Sequence, residues 1–325
     1  MLRTCLIALS LAASPACADV VDVVQRHVLP GYAVFAGATA DLARVAQSTC
    51  DAPTLRPAFN AAWDAWLGVS HLHLGPAEQD GRALAIAFWP DPKGLGAKAQ
   101  TAMIRAEDPL VNDPAAFAQV SVAARGLTGL ERLLYPESSL TGDYTCALIR
   151  ATTIDLADMA DVIQTGWTDG FADRLIHPGA SGNTAYLTPA EARQEMFTQL
   201  IAGLEFTADT RLGRPLGTFD RPRPERAEAR LSGRALQNVT VSLAALRDMA
   251  LALSPDSPKT AAAFDRAITL TVSLDDPGLQ GVADPQGWLK VEILQQAVHA
   301  TRDAALSEIG PALGVGIGFN AADGD

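Results

Sequence analysis

The segment from Asp113 to Pro136, DPAAFAQVSVAARGLTGLERLLYP, most narrows what this chain can fold into. Its apolar or small residues, Phe117, Val120, Ala124, Leu127 and Leu134, recur at steps of three and four, the spacing of one face of a helix. Asp113 followed by Pro114 supplies a side-chain acceptor at the N-cap and a proline at the first helical position, and Pro136 is a natural stop. The spacing predicts one helix over 113–136. Glu131 falls on its apolar stripe, between Leu127 and Leu134. A carboxylate there must be paired, hydrogen-bonded, neutralised or bound to a cation, because burying it bare is very costly. Two readings follow: an arginine partner from another helix, or a metal. Arg125 and the adjacent Arg132 do not face Glu131 on an ideal helix. Gly126 and Gly129 each cost about 1 kcal/mol against alanine in such a helix, so another backbone or a ligand is expected to come close there.

Helix signals recur along the chain and strand signals are weak, so the fold class is all-α. Further helices are predicted over 20–47, interrupted at Pro30-Gly31, and over 56–74, 93–106, 145–176, 222–253, 260–272 and 287–309. Thr188-Pro189-Ala190-Glu191 is a capping box that opens a helix running to about Leu212. This pattern divides into a leader, 1–18, and two helical-bundle halves, 19–144 and 145–325. Trp63 and Trp167 sit in comparable helices and raise the idea of an old duplication, with no legible repeat period.

The leader has Arg3 as its positive end, an apolar stretch Leu6–Ala13 and the small-residue site Ala16-Cys17-Ala18. Cleavage after Ala18 would deliver the mature chain to a periplasm. The alternative, lipid anchoring at Cys17, fits the preceding Ser14-Pro15-Ala16 less well. No later apolar run approaches the ~20 residues needed to cross a bilayer. Beyond the leader only Cys50 and Cys146 remain. In an oxidising compartment an even pair most simply forms one disulfide, the alternative being two separate buried thiols. The net charge of −12 argues against a nucleic-acid partner, which calls for a basic patch.

Few residues beyond Glu131 invite chemistry. Asp64 and His71 are seven apart, which would put them on one face of the helix predicted over 56–74, with His73 pointing elsewhere. Their ordinary role would be a solvated face. If a metal is held, His71, His73 and Glu131 are the first candidates, an imidazole and carboxylate set suited to iron or zinc. His27 reads as a core histidine. At the C-terminus Asn320, Asp323 and Asp325 could supply oxygen ligands to a hard cation, though without EF-hand spacing; an ordered cap is the alternative. No His-Glu-x-x-His helix, Gly-x-Ser-x-Gly elbow or phosphate-binding glycine loop is present.

Four stretches together, SVAARGLTGLERLLYPE, FWPDPKG, RPRPERAEARLSGRALQNV and LGVGIGFNAADGD, resemble imelysin-like periplasmic proteins, and within them the branch of predicted periplasmic lipoproteins. The resemblance covers essentially the whole mature chain. It implies an all-helical fold of two bundle-like halves, a filing among peptidases and a link to iron uptake. The family signature Gly-x-His-x-x-Glu maps onto Gly126, Thr128 and Glu131, with threonine in place of histidine. A hydroxyl is a poor ligand for zinc or iron(II) and cannot act as a base as imidazole does. The expected function is therefore a non-catalytic binding protein of the periplasm linked to iron or other divalent-metal uptake. Its partners would be a metal ion or small ligand and a periplasmic or membrane uptake component. A metallopeptidase and a protein- or peptide-interaction module are the alternatives.

Overall fold

The structure, a computed structural model, describes residues 20–136 and 142–316. The leader with Cys17 and Ala18, and the C-terminal candidates Asn320, Asp323 and Asp325, lie outside the described residues. Within them the fold is helical with no strand, and an isolated bridge joins Thr218 to Arg221. No helix among the described residues is long and apolar enough to cross a membrane.

Helix α1 spans 20–48 without a break, and Pro30 does not interrupt it. A π-helical turn, Val24–Val28, shifts the hydrogen-bond register just before the proline, where an N–H is missing in any case. Helix α2 is Ala52–Leu67. Asp51 caps it by accepting from the Thr54 N–H at 3.0 Å, and Pro57 falls early in the helix. The chain leaves the helix at Gly68, so His71 and His73 do not belong to it, contrary to the sequence expectation. The reason is tertiary: the His73 N–H donates to Gln199 Oε1 at 2.8 Å, drawing this turn onto a later helix.

The stretch 113–136 is not one helix. A short turn of helix, Pro114–Phe117, is separated from α4, Gly126–Leu134, by irregular backbone; α3, Leu95–Ala106, precedes both. Arg125 is extended because its guanidinium reaches the buried Asp155 carboxylate at 2.7 Å. Buried Gln100 of α3 then clamps the bend, donating to the carbonyls of Ala124 at 3.2 Å and Gly129 at 2.8 Å while its own oxygen accepts from Arg132 Nε at 3.0 Å. These contacts outweigh the local helix pattern.

Helix α5 covers 143–176 with a π turn at Trp167–Phe171, and α6 covers 189–216 with another at Phe206–Leu212. The predicted capping box opens α6: Thr188 accepts from the Glu191 N–H, and Glu191 Oε2 reaches back to the Leu187 N–H at 2.7 Å. Helix α7 starts only at Ala235 and ends at Leu253, so 222–234 is not α-helical: it holds one 3-10 turn, Pro224–Arg226, and is otherwise irregular. Pro222, Pro224 and Gly233, whose φ is +68°, account for that. Helices α8, Pro258–Leu274, and α9, Pro285–Leu313, complete the chain.

Helices α1, α2, α4 and α5 pack together, as do α6, α7, α8 and α9. Helix α5, placed with the second half by the sequence division at 144/145, lies along α1 and α4 of the first. A disulfide joins Cys50, just beyond α1, to Cys146 in the first turn of α5, with the Cα atoms 5.4 Å apart. Helix α7 also touches α1 and α2, and a continuous apolar core runs through both groups.

Candidate functional site

Glu131 points into the seam between the two helical groups. It is 6% exposed, and its Oε1 accepts from the Ser232 N–H at 2.8 Å and the Ser232 hydroxyl at 2.6 Å. The partner is thus a turn of the irregular 222–234 segment rather than a helix. Burial pushes the Glu131 carboxyl above its ordinary value, an effect reduced by the two Ser232 hydrogen bonds.

That segment is fastened along its length. Glu228 accepts from Arg211 Nε at 2.9 Å and from Asn238 Nδ2 at 3.0 Å, all three groups being buried. Arg234, also buried, pairs with Asp64 of α2. Asp64, a candidate ligand by sequence, therefore serves to tie the two groups of helices together. Ala229 takes a left-handed φ of +48°, and its carbonyl accepts from Ser232 Oγ at 3.2 Å, which fixes the turn that presents Ser232 to Glu131.

The loop FWPDP faces this segment from the first group. It leads from the short helix Arg82–Ile86 to α3, whose N-terminus Asp91 caps by accepting from the N–H groups of Leu95 and Gly96 at 2.9 and 2.8 Å. Gly126 fits against the end of that short helix. A Cβ there would lie 2.1 Å from the Ala85 carbonyl oxygen and 2.4 Å from that of Ile86, and its φ is +65°. At Gly129 a Cβ would lie 2.5 Å from the Ala124 oxygen. Of the two expectations at these glycines, a backbone or a ligand, the structure shows backbone at both.

Between these elements lies an open cavity of about 420 Å³. Its wall includes Trp89 and Asp91, Thr128, Glu131 and Arg132 of α4, Arg214 of α6, and Glu225, Arg226 and Arg230. Thr128 is 6% exposed, and its hydroxyl is buried with no hydrogen-bond partner among the described residues; the same holds for Arg214 Nε. Both atoms belong to residues lining the cavity.

The histidines are elsewhere. His71 is buried with its Nε2 3.0 Å from Nε2 of His27, a half-buried residue of α1. His73 is exposed, with Nδ1 3.1 Å from Glu78 Oε1, and lines a separate cavity of about 340 Å³ whose wall also includes Trp89. Glu131, His71 and His73 are not gathered into one site. Among the described residues no three side chains of His, Cys, Asp or Glu are grouped to hold a metal ion. Around Glu131 the available donors are a threonine hydroxyl and carboxylates, interleaved with guanidinium groups, and this set does not fit a bare divalent cation.

Burial pushes the His27 imidazole down to about 4 and His71 well below its ordinary value. A histidine whose folded pKa is depressed stabilises the fold above its unfolded value near 6.5, and that stability is lost as pH falls towards the folded value. Lowering the pH from 7 to 4.5 should therefore cost about 2.5 kcal/mol through His27, with His71 acting in the same direction. Asp155, raised to about 6 by burial against its Arg125 partner, acts in the opposite sense over the same range. The measurable quantity is the difference between wild type and His27→Gln in urea midpoints at the two pH values. Equal pH slopes would show that the pair does not titrate as its burial requires.

The sequence model of the imelysin family, filed as a peptidase family, matches residues 28–305. The chain belongs to the imelysin family. Iron-regulated protein A of Synechococcus elongatus is 27% identical over 229 residues, a stretch that covers 66% of this chain and 59% of that protein. An imelysin-like protein of Psychrobacter arcticum superposes with a TM-score of 0.72 at 20% identity, over 95% of this chain and all of that one. A protein of Parabacteroides distasonis described as an iron-regulated protein A precursor gives a TM-score of 0.73 at 12% identity, covering 92% of this chain and 97% of that one. At these identities the two structures speak for the all-helical fold alone. Gly126, Thr128 and Glu131 all contribute to one locality: the glycine seats the helix, and the other two line the cavity.

Three contributors to this locality were missed by sequence reasoning: Ser232, Arg214 and the clamp residue Gln100. Ser232 and the FWPDP loop lie in two stretches that carried the family resemblance, which was the available signal. Arg214 and Gln100 had none.

Proposed function

We propose that this imelysin-family chain is a non-catalytic binding protein of an exported compartment, linked to iron handling, which holds a small ligand in the Glu131 cavity. One observation carries the reading: elements from both helical groups converge on a cavity of about 420 Å³ where the buried Thr128 hydroxyl has no partner among the described residues. A buried, unpartnered hydroxyl is costly, and a ligand that accepts from it would offset that cost. The name of the Synechococcus relative motivates the iron link. The exported setting rests on the leader and on the Cys50–Cys146 disulfide.

Hydrolysis of a peptide bond needs an activated water and a proton acceptor. Thr128 offers no basic nitrogen, and one oxygen of Glu131 is engaged twice by Ser232. The expected result is no cleavage of a denatured protein substrate, with or without added divalent metal. Cleavage abolished by a chelator would instead support the peptidase reading. In parallel, protein purified untagged from the periplasm is weighed by native mass spectrometry and analysed for metal. Wild type should retain a small molecule, with or without metal, that Thr128→Val retains several-fold less, since a neutral hydrogen bond contributes about 0.5–1.5 kcal/mol. Thr128→Val removes a hydroxyl with no partner among the described residues, so its unfolding free energy should fall by less than about 1 kcal/mol. A ligand held equally by both proteins would place binding away from Thr128.

A further inference from the structure

The charges around the cavity run against those of the whole chain. The protein carries a net charge of −12, yet Arg132, Arg214, Arg226 and Arg230 line this one space against Asp91, Glu131 and Glu225. Several of these groups are already occupied. Asp91 caps α3, and Arg132 is held by Gln100 and by the Ala123 carbonyl at 2.8 Å. Glu225 lies 3.5 Å from Arg223, and Glu131 is engaged by Ser232. Arg214 and Arg226 are different: neither has an ion-pair partner among the described residues, and Arg214 Nε is buried without any hydrogen bond. Arg214 stands with its guanidinium carbon 6.0 Å above the Trp89 ring, a contact with the ring face that neutralises no charge.

The buried polar atoms without a partner are the Thr128 hydroxyl, which can donate or accept, and Arg214 Nε, a donor; exposed Arg226 adds an unpaired positive charge to the same wall. A guanidinium presents only N–H donors, in a fork that matches carboxylate or phosphate oxygens. A bare cation would meet repulsion from the same wall. The complementary ligand accepts hydrogen bonds at several points and carries negative charge.

We propose that the Glu131 cavity binds a small, multiply charged oxyanion through Arg214, Arg226 and Thr128, and that any metal enters as part of that anion's complex rather than on protein ligands. This deepens the binding reading above and rests on it. The oxyanion groups are carboxylates or phosphates, and the test separates them.

The mature protein is titrated calorimetrically with citrate, ferric citrate, inorganic phosphate and iron(II) alone, at low and high salt. The same titrations are run on Arg214→Met, Arg226→Gln and Thr128→Val. The expected result is citrate binding that weakens with salt and falls about tenfold or more in Arg214→Met, the scale of one lost charge-assisted hydrogen bond. Thr128→Val should also weaken binding while leaving the fold intact, because it removes an unsatisfied hydroxyl. Arg226 is exposed, so Arg226→Gln tests the charge even if Arg214→Met fails to fold. Phosphate binding with the same variant pattern would keep the oxyanion and assign it to phosphate. Binding of ferric citrate alone would assign a metal–carboxylate complex. Three results overturn the proposal: iron(II) binding while no anion binds, anion binding indifferent to all three variants, or no binding by any probe. A neutral or cationic molecule retained in a Thr128-dependent way would refute the oxyanion while leaving the binding function standing.

Discussion

Gly126→Ala is expected to abolish folding or to destabilise the protein by more than about 4 kcal/mol. The position combines two independent obstacles. Its φ of +65° is one that a side chain tolerates at a cost of about 1–2 kcal/mol. The added Cβ would also lie 2.1 and 2.4 Å from two backbone oxygens, those of Ala85 and Ile86. Backbone cannot rotate aside as a long side chain can, so α4 would have to move. Moving α4 breaks the hydrogen bonds of Gln100 to Ala124 and Gly129 and withdraws Glu131 from Ser232. Gly94 is the internal control: its φ is +63°, and a Cβ there would meet nothing within 4 Å. Gly94→Ala should therefore show only the conformational cost. Soluble yield and urea midpoint are the readouts. Equal effects at the two positions would show that the close approach at Gly126 does not matter.

Removing the Cys50–Cys146 bridge should cost about 4–5 kcal/mol, because it closes a loop of 96 residues and confines the unfolded chain. The two cysteines join the end of α1 to the start of α5, two helices that pack along each other. The native state therefore brings the two ends together without the bond, and the entropic gain falls on the unfolded state. Cys50→Ser, Cys146→Ser and the double variant should unfold at the same, lower urea concentration. Reducing agent should lower the wild-type midpoint to match and leave the variants unchanged. A shift below about 1 kcal/mol would mean that the unfolded chain is already confined by residual contacts between these helices.

Helix identity was legible wherever capping chemistry and spacing agreed. Thr188-Pro189-Ala190-Glu191 opens α6 where it should, and α8 and α9 extend their predicted ranges, 260–272 and 287–309, by a few residues. Reading failed where side chains reach far along the chain. Residues 113–136 carry a helical stripe yet bend at Arg125, since its ion pair with Asp155 and the Gln100 clamp cannot be seen in local spacing. His71 and His73 looked helical, but Gln199, 126 residues away from His73, takes the backbone there. The segment 222–234 looked like the start of a helix; its prolines and the ties of Glu228, Ser232 and Arg234 make it the wall of the cavity instead.

The sequence by itself determined the all-helical class, the unusual position of Glu131 and the expectation that a backbone or a ligand comes close at Gly126 and Gly129. Each follows from local facts: residue spacing, the cost of a buried carboxylate, and the conformational freedom of glycine. It also singled out Cys50 and Cys146 as a pair. Only the tertiary structure decided what surrounds Glu131. Thr128, Arg214, Arg226 and Ser232 come from both helical groups, and their meeting depends on how α4, α6 and the 222–234 segment pack. The charge and donor pattern of a cavity belongs to that packing, because hydrogen bonds and ion pairs act over a few ångströms in space however far apart their partners lie along the chain.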